Sequence, residues 1–216
     1  MLIGVHYPKA GGSSIAAALQ AAYGTSLLND YDEAPALVES PATFDPINYF
    51  TRTFTIPSGI ECVFGHLHIN KYRHIAGAKR FVMLRHPVEA LISTYYFFKS
   101  LPDDVGGVLL RYIKQSKMSI LEMARIPIHT HHMSRTYFEG VDMSCFDLIG
   151  RHDRRDAFFT SLSALAGRPI DPGHQVNVTP RSDERSEMLA DPQLMARLTD
   201  ILRDDVRFYE RHAYRD

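Results

Sequence analysis

Between Tyr7 and Ser14 the chain reads YPKAGGSS, which sets a lysine, two glycines and two hydroxyls between an apolar run and an alanine-rich run. Glycines let a backbone come close to an anion, and a helix starting directly behind them presents unpaired N–H groups and the positive end of its dipole. Lys9 adds a point charge, and Ser13 and Ser14 add hydroxyl donors, so Lys9, Ala10, Gly11, Gly12, Ser13 and Ser14 form a candidate phosphate loop. A kinase or GTPase loop reads GxxxxGK[ST], with its lysine after the glycine and a hydroxyl for Mg²⁺. Here the lysine comes first, which weighs against ATP/Mg²⁺ chemistry. On the local string alone, a Gly-Gly turn with a capping serine and an exposed lysine stands beside the phosphate reading.

A second candidate lies at Leu84 to Tyr96, LRHPVEALISTYY, where Arg85 follows an apolar run and Ser93 comes two helical turns later. The planar guanidinium fork suits phosphate oxygens and serine donates a neutral hydrogen bond, so Arg85 and Ser93 could converge on a second phosphate. Two anion sites suggest a ligand phosphorylated at two ends. A surface arginine and a helical serine are the plain alternative.

These two motifs, in this order, resemble those of the sulfotransferase superfamily, in particular the branch of carbohydrate 2-O-sulfotransferases and small bacterial sulfotransferases. HYPKAGGSSI resembles its 5′-phosphosulfate loop and LRHPVEALISTYYF its 3′-phosphate motif. The similarity extends to FGHLHI, to FDLIGRHDRRDAFFTSLSALAG, to NVTPR and to the DPQLMARL helix, and leaves Thr25 to Pro57 unaligned. His86, Ala90 and Ala10 depart from the usual aspartate, arginine and threonine.

The resemblance implies a P-loop-like α/β fold and 3′-phosphoadenosine 5′-phosphosulfate (PAPS) as co-substrate, with no metal required. Sulfuryl transfer to a hydroxyl needs a base for the acceptor proton and a cation for the leaving phosphate. Lys9 is the implied cation and His66, in FGH, the implied base; His68 is the nearby rival. An imidazole titrates near neutrality, which suits proton abstraction. A late basic loop of the family covers the donor nucleotide, which makes Arg181, near Arg168 and Arg185, a further binding candidate.

HTHHM, His129 to Met133, matches no standard zinc spacing. By position it falls, with Arg135, where the family lines its acceptor pocket. The stripe Tyr95 to Phe98 reads as helix packing. The acceptor is expected to be a carbohydrate or small metabolite, while an ATP-dependent nucleotide or metabolite kinase and a catalytically inactive nucleotide-binding protein of the same fold are the rival classes.

The elements that must position these residues follow from periodicity. Leu2 to His6, Ile60 to Phe64, Arg80 to Leu84 and Phe146 to Gly150 read as strands. Ile15 to Tyr23 reads as a helix stopped by Gly24, and Pro87 to Ser100 as a helix with proline in its first turn. Two short helices, Ser119 to Ala124 and Ile128 to Phe138, should break at Pro127; Asp153 to Ala166 should end at Gly167; Pro192 to His212 suits one long helix. Thr25 to Pro57 shows no sustained period and should wrap the surface. Strand–helix alternation predicts a three-layer α/β fold with a mainly parallel central sheet flanked by helices, whose ligands gather at the carboxyl ends of the strands.

At 216 residues the chain suits a single domain, 1–216. With 24 Lys+Arg against 25 Asp+Glu, no global basic field argues for nucleic acid or a membrane surface, so any anion site must be local. Cys62 and Cys145 are too few for a disulfide framework and read as reduced buried thiols, with a single bridge between them the alternative. No leader pattern or membrane-length apolar run is seen, so a soluble, cytoplasmic protein is expected.

Overall fold

Leu2–Val5 (β1) is buried along its whole length, the mark of a strand covered on both faces. In the computed structural model, which describes residues 1–31, 54–103, 105–171, 173 and 183–214, β1 is the centre of a five-stranded sheet. It joins Leu27–Asp30 (β2), Cys62–Gly65 (β3), Lys79–Leu84 (β4) and Leu148–Arg151 (β5) in the order β2-β3-β1-β4-β5. All four pairings are parallel. The chain moves from β1 to one side for β2 and β3, then crosses to the other for β4, so the strand order switches direction at β1. A crevice at the carboxyl end of that switch is where such sheets take ligands.

Alternate residues of the strands face different layers. Ile3, Val5, Val63, Val82 and Leu84 share a core with Met133, Tyr137, Phe138 and Tyr209. Leu2, Phe64, Phe81 and Met83 pack on Ile15 and Leu19 of helix Gly12–Tyr23 (α1) and on Phe158 and Leu162 of helix Arg155–Ala166. Both faces of the sheet are thus covered, and the α/β fold with a parallel sheet flanked by helices is as the alternation predicts. A third, helical core joins Pro87–Ser100 (α2), Val108–Gln115 (α3) and Ile120–Ala124 (α4) through Ile92, Leu110, Ile113 and Met123.

The remaining helices are Pro127–Thr130 (α5), Arg155–Ala166 (α6), Asp183–Ala190 (α7), Pro192–Ile201 (α8) and Arg203–Ala213 (α9). Several differ from the sequence reading for stated reasons. β2 lies inside the stretch expected to be surface wrapping, because its Leu-Leu-Asn-Asp string has no period of its own and takes its structure from pairing with β3, Leu27 opposite Cys62. Helix α3, bounded by Gly106 and Gly107, buries only Leu110 and Ile113, too small a stripe to stand out. Pro127 begins α5 at its first turn, and His132–Tyr137 forms a π-helical turn instead of a continued α-helix.

The single helix expected over Pro192 to His212 is broken at Leu202, with φ −93° and ψ 17°. Its two halves bury against different partners: Leu198 and Leu202 belong to the helical core, and Tyr209 and Ala213 to the sheet face. Asp191 caps α8, its carboxylate accepting from the N–H groups of Gln193 and Leu194 at 2.9 and 3.1 Å. Helix α7, Asp183–Ala190, carries Asp183 and Glu184 in its first turn. Cys62 is buried and Cys145 half-buried, both free thiols. No helix among the described residues is long and apolar enough to cross a membrane.

Asp30 is the last residue of β2, at the carboxyl edge of the sheet. Its carboxylate accepts from Lys71 Nζ at 2.9 Å and from the Tyr72 hydroxyl at 2.8 Å, and both acid and lysine are largely buried. Removing one partner of such a pair strands the other's charge. Asp30→Ala is therefore expected to lower unfolding stability by about 3 kcal/mol, read from a chemical-denaturation midpoint.

Candidate functional site

The loop between β1 and α1 owes its shape to two left-handed residues, Lys9 at φ 60° and Gly11 at φ 85°. The N–H of Ala10 bonds Tyr7 O and that of Ser14 bonds Gly11 O at 3.1 Å, so these two groups shape the loop instead of facing an anion. The N–H groups of Gly11, Gly12 and Ser13 have no backbone acceptor among the described residues. They are the orphan donors of a helix start, where an anion is favoured. Ser14 and Ala10 are buried, while Ser13 is half-buried.

Lys9 reaches over the Phe97 ring of α2, with Nζ 4.2 Å from the centroid. Burial and the neighbouring Arg85 and Arg185 guanidinium groups push its ammonium down to about 8. It is still mostly protonated near neutrality. The aromatic stripe is thus divided: Tyr96 and Phe98 are core residues as expected, and Phe97 carries the lysine.

Arg85 leaves the end of β4 and donates from Nη1 to Lys9 O at 3.0 Å and from Nε to Glu89 at 3.2 Å. It thereby ties the second motif to the first. Ser93 is buried two turns into α2, and no hydrogen bond among the described residues joins it to Arg85 or Lys9. His86 caps α2 with its ring against Tyr209, and Ala90 is buried. Arg181 lies outside the described residues. Arg185, on α7, brings a cation to the neighbourhood of both Lys9 and Arg85.

The histidines separate by geometry. His68 is fully buried; its Nδ1 accepts the Asn70 N–H at 3.3 Å, so its Nε2–H is donated to Glu139 O at 3.1 Å. Both nitrogens serve the fold. His66, at the end of β3, has Nδ1 2.9 Å from His6 O and 3.1 Å from the Tyr137 hydroxyl. A carbonyl only accepts, so Nδ1 carries the hydrogen and the lone pair is left on Nε2. Burial pushes this imidazole down to about 4, which keeps it neutral at physiological pH.

His6 connects this imidazole to the loop. Its ring stacks on His66, centroids 4.3 Å apart, and on Phe64 at 5.3 Å, while its Nδ1 meets the Tyr31 hydroxyl at 2.9 Å. The opposite edge lies against Gly12: a Cβ there would sit 1.8 Å from His6 Nε2. The glycine pair therefore lets the helix start rest directly on His6. Sequence reading singled out neither His6, Tyr31 nor Tyr137, although His6 abuts the loop in VHYPKAGG.

HTHHM packs beside this stack. His132 meets Tyr7 and Tyr137, with centroids 5.5 and 5.1 Å away, and His129 is buried against Phe98. His131 Nδ1 is 3.8 Å from Asp204 and Arg135 is exposed. The buried Asp205 carboxylate accepts the N–H groups of Met133 and Ser134 at 2.7 and 2.8 Å, anchoring the π turn that carries Tyr137. Among the described residues no group of three or more His, Cys, Asp or Glu side chains is placed to hold a metal ion.

Burial holds His6 and His68 below the ordinary imidazole value, and holds His66, His129 and His132 at about 4, about 4 and about 3. The unfolded chain therefore binds more protons once pH falls below about 6.5. The stability these neutral rings contribute is complete above that value and is lost as pH falls toward 4. Each tenfold weakening of proton binding is about 1.4 kcal/mol, so denaturation midpoints should fall steeply across this window. A flat profile would contradict the neutral buried cluster.

Fold and geometry thus define an α/β protein with a glycine-bearing loop and helix start at the switch point of a parallel sheet, and a neutral imidazole, His66, stacked on the His6 ring that borders it. A solved structure of a sulfotransferase from Alicyclobacillus acidocaldarius is similar to the chain, with 17% sequence identity, 100% of this chain and 96% of that one covered, and a TM-score of 0.46. No protein-family model matches the chain, and no curated protein is matched by its sequence.

Proposed function

We propose that this chain is a sulfotransferase that moves a sulfuryl group from PAPS to a hydroxyl of a carbohydrate or small metabolite, without a metal. The observation that carries this reading is the stack Gly12, His6, His66, which sets a neutral imidazole with its lone pair on Nε2 one ring away from a phosphate-type loop. The two motifs that resemble sulfotransferase phosphate sites support the choice of donor.

When bound, the donor supplies an SO₃ group held by a phosphosulfate anhydride. His66 Nε2 takes the acceptor's proton as its oxygen bonds to sulfur. The bridging S–O bond breaks and its electron pair stays on the phosphate. Lys9 and the N–H groups of Gly11, Gly12 and Ser13 hold that charge where a kinase would use Mg²⁺. Ala10 and Ser14 keep the loop in shape. Arg85 and Ser93, with Arg181, hold the 3′-phosphate, and Glu89 fixes the orientation of the Arg85 fork.

Adenosine 3′,5′-bisphosphate without Mg²⁺ should raise the melting temperature, with a gain of about 2.7 kcal/mol at a hundredfold excess over Kd. Transfer of labelled sulfate from PAPS to a panel of hydroxylated acceptors then tests the activity. Stabilisation by ATP only in the presence of Mg²⁺ would point to a kinase instead. Lys9→Met, which keeps the apolar stem on Phe97, should weaken bisphosphate binding at least tenfold and turnover about a hundredfold, since it removes a charge-assisted contact that strengthens as the leaving group departs.

A further inference from the structure

His152 follows β5 at the same carboxyl edge, as the first residue of the turn His152–Arg154. Its neighbour Arg151 is in register with Leu84, the last residue of β4, which places the turn beside the start of the Arg85 motif. A Cβ on Gly11 would lie 3.6 Å from His152 Cδ2, so the ring edge next to Nε2 borders the left-handed residue of the anion loop. Two imidazoles thus flank the glycine pair, His6 against Gly12 and His152 against Gly11. They differ in how they are held: His6 is stacked and hydrogen-bonded. No hydrogen bond among the described residues engages either ring nitrogen of His152, which is half-buried.

The groups facing His152 are Arg85 and Glu89 from the β4–α2 corner, Asp153 from its own turn and Arg155 from the start of α6. Burial, then the Arg85 guanidinium, holds it below the ordinary imidazole value, with the two carboxylates opposing. The empty loop already concentrates Lys9, Arg85 and Arg185, so a further fixed cation would repel them. A titratable ring avoids that cost when the loop is empty and supplies charge when a phosphate dianion arrives.

We propose that His152 is a proton-linked ligand of the phosphate held by this loop: neutral in the empty site, it takes one proton from solvent as the dianion enters and donates that N–H to a phosphate oxygen. The inference rests on reading Gly11 to Ser13 as a phosphate cradle. A dianion within hydrogen-bonding distance raises an imidazole's proton affinity by about ten- to a thousandfold, enough to carry it across neutrality. Binding should then tighten as pH falls from about 8 to about 6.5, above the window in which the buried histidines weaken the fold.

Calorimetric titration of the intact protein with adenosine 3′,5′-bisphosphate at about pH 7, in two phosphate-free buffers of different ionisation enthalpy, counts the protons taken up. Wild-type protein should take up more than about half a proton per site, of which Lys9, at about 8, accounts for only about a tenth. His152→Gln should abolish most of that uptake and weaken binding about tenfold near pH 6.5, with little change near pH 8.5. In wild-type protein the His152 Cε1–H resonance, followed by NMR, should titrate at least one pH unit higher with bisphosphate bound. Unchanged uptake in His152→Gln, or an unmoved resonance with ligand bound, would reduce His152 to a packing residue and leave the phosphate reading standing. Absence of any bisphosphate binding by wild-type protein would remove both.

Discussion

His66→Ala should abolish sulfuryl transfer while leaving adenosine 3′,5′-bisphosphate affinity within about threefold of wild type. The loss expected from removing a general base is on the order of 10²- to 10⁴-fold in kcat. Affinity is spared because the lost ring contacts His6, Tyr31 and Tyr137, whereas the loop meets His6 through Gly12. Wild-type turnover by this variant would end the assignment. His68→Gln is the informative contrast: both ring nitrogens of His68 are spent on Asn70 and Glu139, so that change should cost stability and leave the chemistry of correctly folded molecules intact.

The same geometry sets the pH dependence. A base at about 4 is already neutral at pH 6, so kcat/KM should show no acid limb near the ordinary imidazole value. Activity should instead decline only where the buried histidines begin to protonate and the fold itself weakens. An acid limb centred near 6.5 would identify a more exposed base.

Gly12→Ala should damage the fold and the candidate site together. The added Cβ would lie 1.8 Å from Nε2 and 1.9 Å from Cδ2 of His6. That ring cannot yield cheaply: it is sandwiched by Phe64 and His66 and its Nδ1 is bonded to Tyr31. Either α1 lifts off, spoiling the donor array, or His6 moves and takes the His66 carbonyl contact with it. Overpacking of this kind costs about 1–3 kcal/mol, and binding and turnover should both fall, unlike in His66→Ala. Denaturation, bisphosphate titration and sulfate transfer on one preparation separate these outcomes. Full activity in Gly12→Ala would show that the ring stack does not position the site.

Much of this was legible locally. The LIGV and RFVML runs announce buried strands because both sheet faces are covered, and PVEALISTYYFFKS declares its start by its proline. Gly24 and Gly167 stop their helices as expected. What was not legible depended on partners distant in the chain. β2 is a strand because Cys62 to Gly65 pairs with it, and Leu202 breaks a periodic run because two cores compete for its halves. Arg185, noted in the sequence only as a neighbour of Arg181, comes near Lys9 and Arg85 because α7 is brought there.

The sequence by itself determined the alternating architecture and the glycine turn between β1 and α1, since turn chemistry and hydrophobic period act between neighbouring residues. It also singled out two histidines two positions apart, His66 and His68, as candidate bases. Only the tertiary structure decided how each ring is held, because a ring's tautomer is set by what its nitrogens touch, for His66 the His6 carbonyl and the Tyr137 hydroxyl, 60 and 71 positions away. Only the fold, likewise, could set His152 against Gly11 across the sheet edge.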